Sequence, residues 1–388
     1  MLNIEEYRGS MMIVCKFGGS SLADSAQIRK VKAIVEGDER RSVVVVSAPG
    51  KRNDDDIKIT DMLYTCQREA ASGADFSDHF NAIRERYLGI VSDLQLPSEH
   101  IARELAVIEK AIGDGATPDY AASRGEYLCA QIMADLLGWE FLDMEETIII
   151  TDEGKIDPST YGRVADRLEA GQRYVVPGFY GSSTDGKLKT FTRGGSDITG
   201  SILSRAAQAE WYENWTDVSG ILMADPRLVE NPKPIPELTY EEIRELASVG
   251  AAVFHEEAIA PVRDAALPVH IKNTNRPDDH GTFITTNRKD SKQPIIGVSG
   301  KTGYTRLFVR KLFLNKDPDY IIKINTILKI HGVVPEFSSI GFDSISYFFN
   351  LDSLQLKETM LTRILSELSP DEISSDARIA MIGVVGEG

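Results

Sequence analysis

Cysteine is scarce in this chain, with three residues among 388. Cys15, Cys66 and Cys129 lie far apart, are odd in number, and have neither a CxxC pairing nor a neighbouring histidine. This usage excludes a disulfide scaffold and a cysteine-rich zinc site, and it is typical of a protein in a reducing cytosol.

Long hydrophobic runs are also missing. The longest apolar runs, such as Val43–Val46 and Ile148–Ile150, are far shorter than the ~18–20 residues that a membrane span needs. The first ten residues, MLNIEEYRGS, contain two glutamates and no apolar stretch, so they do not form a signal peptide, and Met11 or Met12 is an alternative natural start. We therefore expect a soluble cytoplasmic protein with no membrane partner.

Positive charge is in deficit. Lys and Arg number 43 against 59 Asp and Glu, a net charge of −16. The residues from Gln293 onward contribute only −1 of this, so the first 292 carry −15. Such an anion lacks the basic surface that nucleic-acid binding requires. Any chemistry on phosphate must therefore depend on a few locally placed cations.

What is present is the composition of a globular protein, with 42% hydrophobic and 26% charged residues, long enough for two or three domains. Through the first ~290 residues, short β-rich runs alternate with helical stretches, which indicates a parallel sheet with crossover helices. The predicted strands are Met12–Phe17, Ser42–Ser47, Arg173–Pro177 and Tyr212–Thr216, and Asp185-Gly186 marks a hairpin turn. Four predicted helices have both ends defined, at 56–72, 75–94, 98–112 and Ser196–Ala209. Two more are predicted from their starts, near Asp24 and at Thr117-Pro118, and a last one runs from a capping box at Thr239–Glu242 to Gly250.

Beyond a polar linker at 289–293 the pattern changes. We predict strands at Leu307–Leu314, Gly332–Phe337 and Ser344–Phe349, helices at Tyr320–Ile330 and Leu354–Leu368, and a further strand at Ala377–Val385. A βαββα run of this length is typical of a small two-layer α/β sandwich. The expected domains are 11–292, 293–376 and a third segment, 377–388.

The first candidate site is the strand–turn–helix segment Lys16-Phe-Gly-Gly-Ser-Ser21. Gly18 and Gly19 allow the backbone to approach a bulky anion, with the N–H groups of the turn directed at it. Lys16 at the strand end is placed to neutralise charge on a phosphoryl group during transfer. The alternative is a tight turn that needs glycine for its backbone angles alone. The segment is not a Walker A motif, and the chain has no GxGxxG dinucleotide motif.

The second candidate site is Arg193-Gly-Gly-Ser-Asp197, another glycine turn that opens a helix. Arg193 can hold a substrate carboxylate with two hydrogen bonds, and Ser196 can donate a third. Asp197 is suited to orient an attacking group or the catalytic lysine; the alternative is an ordinary carboxylate at a helix start.

Three further segments carry weaker signals. Glu126, in Ser123–Glu126, is a partner for a substrate ammonium, or else for a salt bridge or solvent. Thr216 and Asp217 follow a predicted strand and Arg227 follows a proline, where open α/β sheets bind ligands, although a capped turn explains them too. His255 is either a general base or a structural histidine, the latter being commoner, and residues 53–56 (Asn-Asp-Asp-Asp) are expected to form a solvated loop. The histidines have no metal-ligand spacing, so we expect Mg²⁺ to arrive with a nucleotide rather than at a protein-held metal site.

Taken in order, these segments resemble one family, the aspartokinases of the amino-acid-kinase superfamily. The matching motifs are KFGGSS at 16–21, VVSAPGK at 45–51, SRGE at 123–126, VVPGFYG at 175–181, RGGSD at 193–197, WTDVSGILMADPR at 215–227, HIKNT at 270–274 and GTFI at 281–284. The resemblance implies a three-layer α/β/α kinase domain with a mainly parallel sheet. It identifies the following module as similar to an ACT regulatory unit, an α+β, ferredoxin-like fold, and 377–388 as the opening of a second unit that is cut short.

The resemblance also implies an activity, the transfer of a phosphoryl group from ATP, with Mg²⁺, to the β-carboxylate of L-aspartate, the first step toward lysine, threonine and methionine. It implies catalytic roles for Lys16 and Asp197. The aspartate-binding residues would be Ser20, Thr60 (or Asn53, because the loop alignment is ambiguous), Glu126, Arg193 and Ser196. The ATP-binding residues would be Lys16, Gly18, Gly19, Ser21, Thr216, Asp217 and Arg227. Lysine or threonine is the expected effector, and paired ACT units imply a homodimer.

The sequence departs from the family pattern at several positions. Ala252 stands where the family has a phosphate-contacting lysine, and Lys233 or Lys272 is the candidate substitute. Leu222 stands where an aromatic residue packs the adenine, and Asp319 and Glu336 replace a usual Gly and Asp. Two alternatives therefore stay open: a catalytically weak regulatory homologue that binds amino acids, and a kinase for another amino acid.

Overall fold

The computed structural model describes residues 12–192, 194–251, 256–288, 294–350 and 358–386, with the backbone alone at Glu256 and Glu257. These residues form two compact units. Among them, the first unit contains 12–192, 194–247, 256–288, 294–297 and Gly386, and the second contains Ser248–Ala251, 298–350 and 358–385. Residues 289–293, the predicted linker, lie outside the described residues.

The first unit alternates strands and helices along the chain. Its strands are β1 (Ile13–Phe17), β2 (Arg41–Val46), β3 (Glu140–Phe141), β4 (Ile149–Ile150), β5 (Tyr174–Pro177), β6 (Tyr180–Ser183), β7 (Leu188–Thr190), β8 (Trp211–Thr216), β9 (Ile221–Leu222), β10 (Pro234–Ile235), β11 (Glu237–Thr239), β12 (Val269–Asn273) and β13 (Thr282–Thr285). Its helices are α1 (Ser25–Glu36), α2 (Ile59–Ala71), α3 (Ser77–Asp93), α4 (Glu99–Gly113), α5 (Pro118–Leu137), α6 (Ser159–Arg167), α7 (Gly195–Ala206), α8 (Tyr240–Ser248) and α9 (Glu256–Asp264).

The main sheet has eight strands in the order β11-β13-β12-β8-β1-β2-β5-β3. Only the β12–β13 pair among these is antiparallel. Every residue of β1 is buried, as expected for a central parallel strand covered on both faces. Cys15 and Phe17 pack with Ile28 and Val31 of α1, so the alternate side chain, Lys16, faces the opposite side of the sheet. The predicted parallel α/β fold is confirmed.

Local capping signals place the helix starts where the sequence predicts them. The Asp24 side chain accepts a hydrogen bond from Gln27 N at the start of α1, and Thr117 accepts one from Tyr120 N at the start of α5. At α8, Thr239 N donates to Glu242 Oε2 (2.8 Å) and Glu242 N donates to Thr239 Oγ1 (3.2 Å), the reciprocal pattern of a capping box. The Asp185-Gly186 hairpin is present as the antiparallel pair β6–β7.

The second unit has the element order βαββαβ. Its elements are β14 (Gly297–Arg310), α10 (Pro318–Ile330), β15 (Phe337–Ile340), β16 (Ser344–Asn350), α11 (Glu358–Leu368) and β17 (Glu372–Val385), with the strand order β15-β16-β14-β17. The helices and sheet share one apolar core that includes Leu307, Ile324, Phe349 and Ile364. This arrangement agrees with an ACT-like α+β module.

Several predicted boundaries in the second unit are wrong, and the strand predicted to begin at Leu307 begins at Gly297. The strand predicted at Leu307–Leu314 stops at Arg310, because Phe313 adopts a left-handed conformation (φ 64°) that starts a 3₁₀ turn at Leu314. The strand predicted at Gly332–Phe337 begins only at Phe337, since Pro335, just before it, has no N–H for a ladder. The strand predicted to begin at Ala377 begins at Glu372.

The proposed boundary between 376 and 377 therefore falls inside β17, and the division into two ACT units there stays a prediction. The first four residues of the predicted helix Leu354–Leu368 lie outside the described residues. Within the described part of the chain, no helix has both the length and the apolar character that crossing a membrane requires.

Candidate functional site

The central strands of the main sheet define where a ligand can bind. From β1 the chain builds the sheet in two directions, toward β2 and β5 on one side and toward β8 and β12 on the other. In open α/β sheets the carboxyl ends of the strands at such a reversal form a binding crevice. Lys16 is the penultimate residue of β1, and it lies opposite Val45 of β2 and Asn214 of β8.

Lys16 and Asp197 form an ion pair at this end of the sheet. Lys16 Nζ lies 2.6 Å from Asp197 Oδ1, and the two side chains are 9% and 13% exposed. Asn214 Nδ2 donates to the same oxygen at 2.9 Å. The proximity of Lys16 and Asp197 agrees with their predicted location, whereas sequence reasoning missed Asn214, which precedes the motif beginning at Trp215.

The start of α7 is built to carry Asp197 close to the sheet. Gly194 caps the helix in a left-handed conformation (φ 59°) that most side chains avoid. A Cβ on Gly195 would lie 2.6 Å from the Phe179 ring, and one on Gly178 would lie 2.6 Å from Ser196 Cβ. Ser196 itself is buried. Small residues on both sides therefore allow the helix end to approach the β5–β6 turn.

Phe179 is a second feature that sequence reasoning missed. Its φ of 81° is unusual for a bulky residue, and its N–H donates to Thr199 Oγ1 of α7 at 3.1 Å. Strained backbone of this kind concentrates at functional sites. The signal in the sequence is the pair of glycines that flank Phe179-Tyr180. Arg193, predicted to bind a carboxylate, lies outside the described residues.

The two glycine turns after β1 and β2 meet backbone to backbone. Gly50 N donates to Gly19 O at 2.8 Å, and a Cβ on Gly50 would lie 2.6 Å from the Gly19 carbonyl carbon. Gly18 N donates to Trp215 O at 3.0 Å, which ties the first turn to β8. The turn continues as a short 3₁₀ segment, Gly19–Leu22, in which Ser20 is half-buried. Ser21 is buried and shares a hydrogen bond with Thr274 (2.7 Å).

Glu126 is a buried carboxyl group on α5. The residue is 5% exposed, and its Oε2 has no hydrogen-bond partner among the described residues. Burial raises the pKa of Glu126 to about 8, against the opposing effects of a backbone hydrogen bond from Ala48 and the positive charge of Lys16. A Cβ on the neighbouring Gly125 would lie 2.7 Å from Ala48 Cβ, so α5 closely approaches the turn after β2. A buried carboxyl with a free oxygen near Lys16 is suited to receive a cationic ligand group.

Glu213 shows what a satisfied buried carboxylate looks like in the same sheet. It is also buried, but its pKa is lowered rather than raised, since the hydrogen bonds and charge of Arg41 and the indole donors together outweigh desolvation. Its oxygens accept hydrogen bonds from Arg41, Trp215, Trp211 and Cys15. The contrast shows that Glu126, unlike Glu213, has unused bonding capacity.

The loop after β2 is held by a buried arginine. Arg86 donates to Asp56 Oδ2 (2.8 Å), to Gly50 O (2.5 Å) and to Ala23 O (2.9 Å). Hydrogen bonds from Arg52 and Arg86 hold the pKa of Asp56 well below its usual range. The expectation that residues 53–56 form a solvated loop is thus wrong for Asp56, whose side chain is 10% exposed.

Thr60 and Asn53, the two alternatives for a substrate contact, differ in position. Thr60 is half-buried in the first turn of α2. Asn53 is exposed, and its Oδ1 accepts a hydrogen bond from Asp55 N (3.1 Å) within its own loop. Which of the two contacts substrate stays a prediction.

The predicted nucleotide-binding residues lie at and beyond the end of β8. Thr216 Oγ1 donates to Asp217 Oδ1 at 3.2 Å, and Asp217 is exposed. Arg227 is 86% exposed and paired with Asp225 (2.7 Å), and the structure does not bring it to Lys16. Leu222, predicted where an aromatic residue packs the adenine, lies in β9 and is half-buried.

Lys272 and Lys233, the candidate substitutes for the lysine that the family has at position 252, are also not at the Lys16–Asp197 pair. Lys272 Nζ donates to Asp279 O at 2.6 Å and lies over the Trp215 ring, and burial lowers its pKa. Lys233 is exposed. Ala252 and His255 lie outside the described residues, so the proposals made for them stay predictions. Within the described ranges no group of three or more His, Cys, Asp or Glu side chains is arranged to hold a metal ion.

The fold and site define a class of protein, the amino acid kinases. The model of the "Amino acid kinase family" matches residues 11–273, more than half of the chain. Aspartokinase 3 of Bacillus subtilis (strain 168) is 36% identical over 394 residues, covering 97% of this chain and 86% of the relative.

Solved structures agree with this family. The crystal structure of Clostridium acetobutylicum aspartate kinase is 44% identical, with a TM-score of 0.87, and covers 97% of this chain and 87% of that one. Escherichia coli aspartokinase III shares the fold at 23% identity in its complex with aspartate and ADP (TM-score 0.75) and at 24% in its complex with lysine and aspartate (TM-score 0.73), each covering 97% of this chain and 87% of that one. This chain belongs to the aspartokinases, within the amino acid kinase family.

Proposed function

We propose that the protein transfers the γ-phosphoryl group of ATP to the β-carboxylate of L-aspartate, giving 4-phospho-L-aspartate. The observation that carries this proposal is the Lys16–Asp197 ion pair at the reversal point of the sheet, close to a buried Glu126 with a free oxygen. The Lys16 ammonium can bind an anionic phosphoryl group, and the unpaired Glu126 carboxylate can bind the ammonium of an amino acid. The named activity of the similar enzymes supports aspartate as that amino acid.

Lys16 and Asp197 are assigned to the transfer itself. The β-carboxylate of free aspartate is ionised at neutral pH, so the attacking oxygen has no proton to lose and the reaction needs no general base. The reaction instead requires a positive charge that compensates the two anions, the β-carboxylate and the phosphoryl group, and a preorganised ammonium supplies it. Asp197 therefore acts by orienting the Lys16 ammonium rather than by removing a proton.

The substrate's other groups match the remaining predicted residues. Glu126 would bind the α-ammonium, which provides the charge partner that its buried carboxylate lacks. Arg193 and Ser196 would bind the α-carboxylate, and Ser20 and Thr60 would complete the pocket. This division holds the β-carboxylate toward Lys16.

The nucleotide would occupy the glycine turns and the end of β8. Gly18, Gly19 and Ser21 would face the phosphates, and Thr216, Asp217 and Arg227 would bind the rest of the nucleotide. Magnesium bound with ATP would neutralise phosphate charge, and its ligands would come mainly from phosphate oxygens and water, as is usual for this ion.

We also propose regulation and assembly through the second unit. Its βαββαβ order supports an ACT-type role in binding lysine or threonine, and pairing of such units would give a homodimer. The three cysteines are buried free thiols, which is compatible with work in the cytoplasm.

The decisive experiment couples ADP release to aspartate addition. Wild-type protein should show turnover that depends on aspartate, and Lys16→Ala and Asp197→Ala should each lose at least about 100-fold in kcat because a preorganised charge is removed. Lys187→Ala, which changes a lysine whose side chain is 83% exposed, is the matched control and should retain activity.

Three outcomes would contradict the proposal in different ways. Binding of lysine or threonine in a calorimeter without any turnover would indicate a regulatory homologue. Preference for glutamate in a competition assay would indicate another amino-acid kinase. Full activity in both alanine variants would show that the residue roles are wrong.

A further inference from the structure

We propose that Asn214 is a positioning residue for phosphoryl transfer, whose side-chain amide holds the Asp197 carboxylate in the orientation that pairs it with Lys16. The inference rests on the proposed function, because it concerns a neighbour of the two residues assigned to the transfer. Position 214 lies one residue outside the motif 215–227.

The geometry brings two donors to one oxygen. Lys16 and Asn214 lie directly opposite each other in the parallel register of β1 and β8. Lys16 Nζ is 2.6 Å and Asn214 Nδ2 is 2.9 Å from the same Asp197 Oδ1. Two donors from adjacent strands restrict the carboxylate far more than one flexible lysine does.

The hydrogen bond to Asp197 provides a partner for the buried amide of Asn214. The residue is 5% exposed on a central strand, where an amide without a partner costs free energy. On the other side, β12 places the apolar Ile271 opposite it. In the described chain, the charged Lys16 lies opposite position 214, and the charged Asp197 accepts its hydrogen bond. The polar side chain is therefore matched to the carboxylate of α7.

Tyr212 extends the same arrangement. It lies two residues earlier on the same face of β8, and its hydroxyl donates to the main-chain oxygen of Asp197 at 3.4 Å. A Cβ on Gly200 of α7 would lie 2.6 Å from that hydroxyl, so strand and helix are in close contact. Strand β8 thus holds both the backbone and the side chain of Asp197.

The test measures aspartate and ATP kinetics in two variants of similar side-chain size. Asn214→Leu removes the donor, and we expect kcat to fall about 10- to 100-fold. The KM values for aspartate and ATP should stay within about threefold, because the change acts on the transfer and not on substrate binding. Asn214→Asp places a second carboxyl beside Asp197, and its kcat at neutral pH should be as low as that of Asn214→Leu. As the pH falls, the ratio of its kcat to the wild-type kcat should rise, because protonation of the new carboxyl restores an O–H donor. Asn214→Leu should show no such recovery.

Ser204→Ala is the control, because it removes a buried hydroxyl of α7 that bonds Gly200 O, away from Asp197, and it should keep the wild-type kcat. Thermal unfolding of each variant checks the fold, and Asn214→Asp decides the matter if the leucine variant does not fold. If Asn214→Leu keeps the kcat of the wild type, or changes only KM, the role of Asn214 is overturned. The proposed function still stands in that case, provided that the wild-type protein shows aspartate-dependent turnover. Absence of aspartate-dependent turnover in the wild type would overturn both.

Discussion

Buried carboxylates decide the chemistry of this site at the level of single residues. Glu126 and Glu213 are both buried, at 5% and 3% exposure, yet their pKa values move in opposite directions. Glu213 is surrounded by donors, with Arg41 the strongest, whereas Glu126 keeps an oxygen without a partner. A buried acid like Glu126 is stabilised in its ionised form when a cationic ligand pairs with it.

Glu126 predicts a pH dependence of aspartate binding. Its pKa is raised to about 8, so the free enzyme holds this carboxyl protonated at lower pH, and the proton must leave before the group can pair with the substrate ammonium. The KM for aspartate should therefore fall as the pH rises from about 6 to about 8, by up to about tenfold per pH unit. Initial rates over this range measure the slope.

Glu126→Gln should raise the KM about 10-fold or more and flatten that slope, because the amide cannot ionise. Glu36→Gln, on the exposed side of α1, is the control and should reproduce the wild-type profile. A wild-type KM that is independent of pH would contradict the assignment of Glu126 to the ammonium.

At the level of elements, the turns after β1 and β2 are in direct backbone contact. Gly50 N donates to Gly19 O, and the Arg86 guanidinium donates to Gly50 O, so the backbone of the two turns is held by a main-chain bond and a buried side chain. Gly50 does not have a positive φ, so its need for glycine is a matter of space and not of backbone strain. The two turns form one rigid cradle.

Gly50→Ala should therefore separate the turns. The new Cβ would lie 2.6 Å from the Gly19 carbonyl carbon, and the clash should destabilise the fold by about 1–3 kcal/mol and lower kcat/KM at least about 10-fold. Gly89→Ala is the matched control: within α3, its Cβ meets nothing within 4 Å, and it should stabilise the protein by about 0.5–1 kcal/mol. Thermal unfolding and the coupled assay read both effects. Unchanged kinetics in Gly50→Ala would show that the cradle does not shape the site.

At the level of the whole molecule, the described residues form two compact units, and the proposed catalytic and regulatory roles fall on different ones. The first unit carries the Lys16–Asp197 site, and the second carries a complete four-stranded βαββαβ sheet. Such a division lets an effector bind one unit and alter the populations of states in the other.

We expect lysine or threonine to lower the rate of aspartate-dependent ADP release at millimolar concentration. The measurement adds each amino acid separately and then both together at fixed aspartate, with ornithine as a control that has a similar charge. Sedimentation in the same buffers checks for the expected homodimer. No change in rate with either amino acid would mean that this chain has no working feedback site.

Much of this organisation could be predicted from local signals. Local signals such as the capping residues Asp24 and Thr117 and the apolar run of β2 act over only a few residues. The helix starts and the strand that they define can therefore be predicted directly from the sequence. The failures lie where local signals are weak. The strand at Phe337 begins later than its hydrophobic pattern suggests, because Pro335 cannot donate to a ladder.

The sequence by itself determined the α/β class, the family resemblance and the placing of Lys16 and Asp197 at a strand end and a helix start, because these follow from short-range pattern and motif order. Only the tertiary structure decided that Asn214 shares the Asp197 oxygen with Lys16, that Arg86 anchors the turn at Gly50, and that Glu126 rather than Glu213 is left unsatisfied. The physical reason is that desolvation and hydrogen-bond satisfaction depend on groups contributed by distant segments of the chain. Those groups become neighbours only when the sheet assembles.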